Sequence, residues 1–310
     1  MAKKKKNKSK KSNFSTYILI LIILVGLVIM LYPTVADWWN VKHMSQAIDS
    51  YVETVASIDS DEKAEMIAKA RAYNATLNTG VGFISEETNP EAYEEYLSVL
   101  DITGTGIMGY IQIPTIGVNL PIYHGTSDSV LQVATGHIAG SSLPVGGDTT
   151  HAVISGHRGL PSAKLFTDLD QLTEGDIFII NVLDESYTYQ IDQIHTVLPD
   201  EVSDMAITSG KDYVTLVTCT PYGVNTHRML VRGHRIDNLS EEVKEVLVTS
   251  DATKISSVIV ALCIAAILIV ITLIFSSATT YIRINTKSRE VILAELKSDA
   301  AKKRNSKNED

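Results

Sequence analysis

The sequence predicts a mainly β exterior domain, barrel or sandwich, entered through helices and flanked by two transmembrane helices. Three observations carry this: an apolar run near each end, apolar spacings of three and four residues from Val41 to about Leu77, and a change to a two-residue period after Gly109.

The first apolar run, YILILIILVGLVIMLYP from Tyr17, and the second, ISSVIVALCIAAILIVITLIF from Ile255, are each close to the roughly 20 residues that cross a bilayer. The first follows MAKKKKNKSKKS, but Tyr32, Pro33 and their bulky neighbours offer no small-residue cleavage site, which predicts an uncleaved anchor. Basic residues precede the first run and follow the second (Arg283, Lys287, Arg289, Lys302, Lys303, Arg304), so the positive-inside bias predicts both termini in the cytoplasm and the intervening segment outside. The stretches 1–16 and 281–310 hold 15 of the chain's 27 Lys and Arg but only 5 of its 36 Asp and Glu. The exterior segment is therefore acidic, which argues against nucleic acid as a partner. The tail lysines set orientation or meet anionic headgroups.

Outside the membrane, Ile48, Val52 and Val55, then Met66, Ile67 and Ala70, predict two amphipathic helices, divided at SIDSDEK where Asp59 or Ser60 can cap a new start. Between Asn78 and Gly109 the chain reads as a loop broken by Gly and Pro, with a short helix expected at Glu91 to Leu100. Next come β-branched and aromatic runs: GYIQIPTIGVNLPIYHG, HAVISGHRG, DIFIINVLDESYTYQIDQIHTVL, DYVTLVTCTP and HRMLVRGHRI, the third reading as a hairpin. Short helices are expected at Ser162 to Leu172 and, behind a Ser240 cap, at LSEEVKEVL.

Only two cysteines occur. Cys263 lies within the second apolar run, which leaves Cys219 alone in a disulfide-permissive compartment. Alternation along DYVTLVTC puts Thr215, Val217 and Cys219 on one face, and an antiparallel return through TPYGVNTH would bring Arg228 to the same end of the sheet. A thiol nucleophile also needs a proton donor, and eight histidines are available. Spacing does not select one, although His157 sits where a strand runs out into a Gly-bounded turn. Plainer readings stand beside this one: Cys219 as a small buried residue, His157 as a surface residue, Arg228 paired with an exterior acid. A metal site of Cys219 with His227 or His234 is not expected, because no C-x-x-C or H-x-x-x-H pattern accompanies it.

TLVTC followed by TPYGVNTHRMLVRG resembles the sortase signature, a TLxTC strand with an arginine opening the next strand, and VISGHRGLPSAKLFTDLDQLTEGD resembles the histidine-bearing segment of that family. The resemblance runs from about Gly109 to Ile236 and is nearest to the class C, pilin-polymerising sortases of Gram-positive bacteria, which likewise carry two transmembrane helices. It implies an eight-stranded sortase-like β-barrel with N-terminal helices and short peripheral helices, His157, Cys219 and Arg228 as the catalytic three, and no cofactor or metal. The implied activity is cleavage of an LPxTG-like sorting signal through a thioacyl intermediate and transfer to a pilin lysine. The implied partners are pilins or other surface proteins bearing such signals. The expected organisation is a basic tail at 1–16, a transmembrane helix at 17–32, a helical and lid-like segment at 33–108, the catalytic barrel at 109–238, a juxtamembrane helix at 239–254, a second transmembrane helix at 255–276 and a basic tail at 277–310. A wall-anchoring sortase using a peptidoglycan amine and a catalytically silent membrane scaffold are the alternatives. Many class C sortases carry an Asp-Pro-aromatic lid motif, whereas TGVGFISEETNPEAYEEY has only Asn89-Pro90. A weakly held loop is therefore expected there, with Glu86 or Glu87 reaching Arg228 only if it closes.

Overall fold

The computed structural model describes residues 14–77 and 79–238 and, towards the C-terminus, 263–269, 271–272, 277, 281, 285–286 and 288–298. A single helix, α1 (Phe14–Ser57), runs on from the apolar run through Pro33 into the amphipathic stretch, so the two segments expected as separate helices are continuous. It is long and apolar enough to cross a membrane. Beyond Trp39 its Met44, Ile48, Tyr51 and Val55 are buried at spacings of four, three and four, the stripe a helix lays on a core. Tyr51 fastens it: the buried hydroxyl donates to the Met108 carbonyl at 3.1 Å and accepts from the Leu183 amide at 2.8 Å. Burial pushes the Tyr51 phenol above its ordinary pKa, so it stays a donor.

Helix α2 (Ser60–Thr76) starts at the expected cap, Asp59 Oδ1 accepting from the amides of Asp61 at 2.9 Å and Glu62 at 2.8 Å. Asn74 ties it to the barrel by accepting from the Leu143 amide at 2.7 Å and donating to the Leu143 carbonyl at 2.9 Å. Helix α3 (Pro90–Ser98) has Asn89 as cap and Pro90 in its first turn. Its fully buried Tyr96 bonds His137 Nδ1 at 3.0 Å and takes the Gly125 amide at 2.9 Å. His137 Nε2 faces the Ser142 carbonyl at 2.8 Å, which makes the ring the neutral Nε2–H form, and burial pushes its pKa down to about 3.

Eight strands close a barrel: β1 (Ile107–Ile113), β2 (Val118–His124), β3 (Thr135–His137), β4 (Thr150–Ser155), β5 (Ile177–Val182), β6 (Glu185–Val197), β7 (Asp212–Thr220) and β8 (His227–Arg235), in the order β1-β2-β3-β4-β7-β8-β6-β5. The β2–β3 and β4–β7 pairs are parallel and the others antiparallel. The β5–β6 hairpin turns on Leu183 and Asp184, with Val182 opposite Glu185. Leu183 takes a left-handed φ of 53°, where Tyr51 holds its amide. Strand β3 has no counterpart among the runs picked out above, because THR-GLY-HIS is too short and too polar to show a period. A one-turn helix, α4 (Asp128–Leu131), precedes it.

The main core includes Ile111, Ile113, Ile122, Ile154, Phe178, Ile180, Val214, Leu216 and Val231. The other face of β4, β7 and β8 carries a second cluster of Val153, Val217, Leu230 and Met205, with Phe83, Ile138, Val197 and Val202 packed on it. The alternation along β7 thus divides its residues between two apolar environments.

The helix expected at Ser162 to Leu172 is absent. The segment forms turns, with a 3-10 turn only at Leu169–Gln171. Leu165 is left-handed at φ 41°, and side chains have taken the carbonyls a helix would use: Asn40 Nδ2 bonds the Ser162 carbonyl at 2.7 Å and Arg158 Nε the Thr167 carbonyl at 3.2 Å. The helix expected behind Ser240 lies outside the described residues, as do 255–262 of the second apolar run. Taken by itself, the C-terminal part is helical at 263–269 and 288–298.

Candidate functional site

Strand pairing brings the three singled-out residues to one end of the barrel. Cys219 on β7 stands directly opposite Arg228 on β8, so their side chains share a face, and Val197 on β6 is opposite Arg228 on its other side. On the other flank of β7, parallel β4 ends with Ser155 level with Val217. The pairing continues past the strand, with the Gly156 amide donating to the Val217 carbonyl at 3.0 Å and Thr218 Oγ1 to the Gly156 carbonyl at 2.8 Å. His157 follows two residues past the end of β4, on the flank of β7 that carries Cys219, while Cys219 and Arg228 face each other at the adjoining ends of β7 and β8. The Cys219 thiol is free and half-buried.

The His157 loop is folded tightly against β7. The Phe166 amide donates to the His157 carbonyl at 3.1 Å, and Phe166 lies so close under Gly156 that a Cβ there would come 2.7 Å from its ring. Arg158 makes the bracket. Its side chain is only 8% exposed, Nη1 donates to Thr220 Oγ1 at 3.2 Å, Nη2 pairs with Asp170, and the guanidinium lies 5.9 Å from the centre of the Tyr222 ring. Gly159, at φ +78°, lets the chain pass beneath that ring. Arg158 was legible only as the residue after His157. Nothing in the spacing links it to Thr220 or Asp170.

Arg228 Nη1 donates to the carbonyls of Asn225 at 3.3 Å and His227 at 3.1 Å, and among the described residues no carboxylate pairs with it. The guanidinium keeps donors for a further acceptor beside the thiol. His234 pairs in register with Tyr213, six residues down β7 from Cys219, so those two cannot share an ion. Among the described residues no group of three or more His, Cys, Asp and Glu could hold a metal. A surface cavity of about 620 Å³ lined by Asp148, Asp192, Asp212 and His234 lies at the opposite end of β7, away from the thiol.

The segment ahead of α3 is held more firmly than its sequence suggests. Gly80 and Ile207 exchange backbone hydrogen bonds at 3.1 and 2.8 Å, and the Ile84 amide donates to the Ala139 carbonyl at 3.0 Å. The Gly82 carbonyl approaches so closely that a Cβ on Gly140 would stand 2.2 Å from it. Phe83 packs on the cluster containing Val217 and Leu230, one same-face step inward from Cys219 and Arg228. Glu86 and Glu87 stay exposed. Backbone pairing and one aromatic side chain fasten this loop, features that a search for an Asp-Pro pair or an acid partner does not detect.

A sortase-domain family model matches residues 111–236, the barrel from within β1 to just past β8. Sortase A of Streptococcus agalactiae is 34% identical over 117 residues, covering 37% of this chain, and Sortase D of Bacillus subtilis is 29% identical over 131 residues, covering 41%. The chain spans 47% and 63% of those relatives' lengths. Among solved structures, sortase C1 of S. agalactiae is 52% identical with a TM-score of 0.60, covering 63% of this chain and 100% of that one. Sortase C of Streptococcus pneumoniae, a structure bearing on catalysis and pilin substrate specificity, is 44% identical with a TM-score of 0.57, covering 63% and 98%. The barrel order, the family-model match and this identity over the whole of a solved sortase C1 place the chain in the sortase family, class C.

Proposed function

We propose that the protein is a membrane-anchored cysteine transpeptidase that polymerises pilin subunits. The observation that carries the reading is Cys219 directly opposite Arg228 on β7 and β8, with His157 just past the end of β4, the strand that pairs with the other flank of β7. The Cys219 thiolate attacks the Thr carbonyl carbon of the Thr-Gly bond in an LPxTG-like signal. The C–N bond breaks, His157 protonates the departing glycine amine, and a thioester joins Sγ to the threonine carbonyl. A pilin lysine amine, giving up a proton to His157, then attacks the thioester, forming an isopeptide bond and returning the thiolate. Arg228, with donors to spare, stabilises the oxygen that gains charge in both steps or positions the peptide. The chemistry asks for no cofactor. α1 supplies the membrane anchor, and the apolar run at 255–276 would be the second span, with both tails cytoplasmic and the barrel outside.

Pilin lysine is preferred over a peptidoglycan amine as acceptor because the two solved structures described above are sortases C, one described in connection with pilin substrates. Incubation of the protein with purified pilins bearing the signal should give ladders that resist sodium dodecyl sulfate. Cleavage without ladders, or transfer only to a peptidoglycan amine, would overturn the acceptor assignment.

A further inference from the structure

The membrane helix and the His157 loop meet at one place. No charged residue stands between Lys11 and Asp37, so the uncharged stretch runs four residues past the span expected at 17–32, to Ala36. Just beyond it, Asp37 Oδ1 accepts from the Lys164 amide at 2.8 Å and Asn40 Nδ2 donates to the Ser162 carbonyl at 2.7 Å. Asp37 and Asn40 continue the stripe of Met44, Ile48, Tyr51 and Val55 that is buried on the barrel, whereas Trp38 and Trp39 are about half exposed. From Lys164 the loop returns to the site through the Phe166 amide on the His157 carbonyl and Arg158 on the Thr167 carbonyl.

At 1.5 Å per residue Asn40 stands only about 6 Å past Ala36, and the headgroup zone on each side of a bilayer is about 5–8 Å deep. We propose that the loop at 160–164 rests on the phospholipid headgroup layer, so that the His157 end of the barrel opens beside the membrane. Trp38 and Trp39 have the amphipathic rings that settle at that depth. Lys42, whose ammonium lies 5.9 Å from the Trp38 ring centre, and Lys164, 65% exposed with its ammonium 3.9 Å from an Asp168 carboxylate oxygen, supply cations for lipid phosphates. A substrate held in the same bilayer would reach Cys219 by moving laterally. The inference rests on α1 being a membrane anchor.

The test uses the full chain in phospholipid vesicles carrying a headgroup-attached quencher. In a Cys219→Ala, Cys263→Ala background, a fluorophore is placed at Pro161→Cys or at Asp148→Cys, both exposed, the latter before β4 at the other end of the strand and about 20 Å away. Emission at 161 should be lost and that at 148 retained. In the otherwise unaltered protein, emission from Trp38 and Trp39, the chain's two tryptophans, should be quenched by the same lipid. Failure to sediment with vesicles would overturn the anchor and this docking together. Sedimentation with equal emission at 161 and 148, or with tryptophans unquenched by the headgroup probe, would overturn the docking alone.

Discussion

Arg158→Met keeps a long stem in the space Arg158 fills and deletes the guanidinium that binds the His157 loop to the residue after Cys219. The bonds lost are those to Thr220 Oγ1 and the Thr167 carbonyl, both at 3.2 Å, and the pair with Asp170, whose side chain is 48% exposed. Hydrogen bonds from charged groups contribute about 1.5–3 kcal/mol each, with these long ones at the lower end, and a half-exposed ion pair adds about 0–1 kcal/mol. The loop should therefore lose about 3–4 kcal/mol of bracing, of which about 1.5 kcal/mol, the Thr220 bond, ties it to β7. His157 stays bonded through its carbonyl but is less well aimed, and a misplacement of about 1 Å costs about a hundredfold in rate. A fall in kcat of about 10- to 100-fold is expected, equivalent to about 1.4–2.7 kcal/mol of barrier. The assay is the initial rate of transfer from a sorting-signal peptide, with labelling of Cys219 by a small thiol reagent as control for an intact thiol. Arg158→Lys should recover part of the rate, since one ammonium can reach one of the three partners. A kcat within about threefold of the parent would refute a positioning role for Arg158.

Cys219→Ala should abolish ladder formation while leaving the melting curve unchanged, because it removes little volume at a strand end. Continued ladders would rule out the thiol mechanism. Arg228→Lys keeps the charge but not the planar fork of donors, so turnover should fall far more than peptide binding, and near-normal turnover would show that a point charge suffices. Phe83→Ala should speed reagent access to Cys219 by roughly tenfold, the effect of losing about 1.4 kcal/mol of a partly buried ring's contacts. An unchanged rate would show that the segment ahead of α3 does not shield the thiol. His137, neutral in the fold with a pKa of about 3 against an ordinary 6.5, binds its proton more readily when the chain unfolds. Acidification from about 6.5 downward should lower stability by up to about 1.4 kcal/mol per pH unit. His151, also depressed by burial, acts in the same direction. Urea melts between pH 7 and pH 5 should show a smaller slope in His137→Gln than in the parent, and identical slopes would contradict this account.

Much of this architecture was visible as pattern. The break at Asp59, the hairpin with its turn within LDES and the alternation along β7 each follow from local chemistry, a capping carboxylate, turn residues between two β-branched runs and a period of two, although the turn proves shorter than LDES, only Leu183 and Asp184. The opposition of Cys219 and Arg228 was foreseeable from a short antiparallel return. The placement of His157 depends on the parallel β4–β7 pair, whose partners lie some sixty residues apart and leave no local trace. The same holds for the missing helix at Ser162 to Leu172, where Asn40 and Arg158 take carbonyls that the local sequence would give to a helix. The acidic composition of the loop ahead of α3 hid its fastening, because Gly80 and Ile84 bond through their backbones and no side-chain pattern records that.

The central claim is that Cys219 carries the acyl group between the cleaved signal and the acceptor amine. Intact-protein mass spectrometry after brief mixing with an LPxTG-containing peptide, acceptor withheld, tests it most directly. The account predicts a mass increase equal to the peptide up to its threonine carbonyl, less one hydrogen, located on Cys219, removed by added lysine-bearing pilin and absent from Cys219→Ala. Cleavage of the peptide with no adduct in either protein, or an adduct that survives Cys219→Ala, would contradict it.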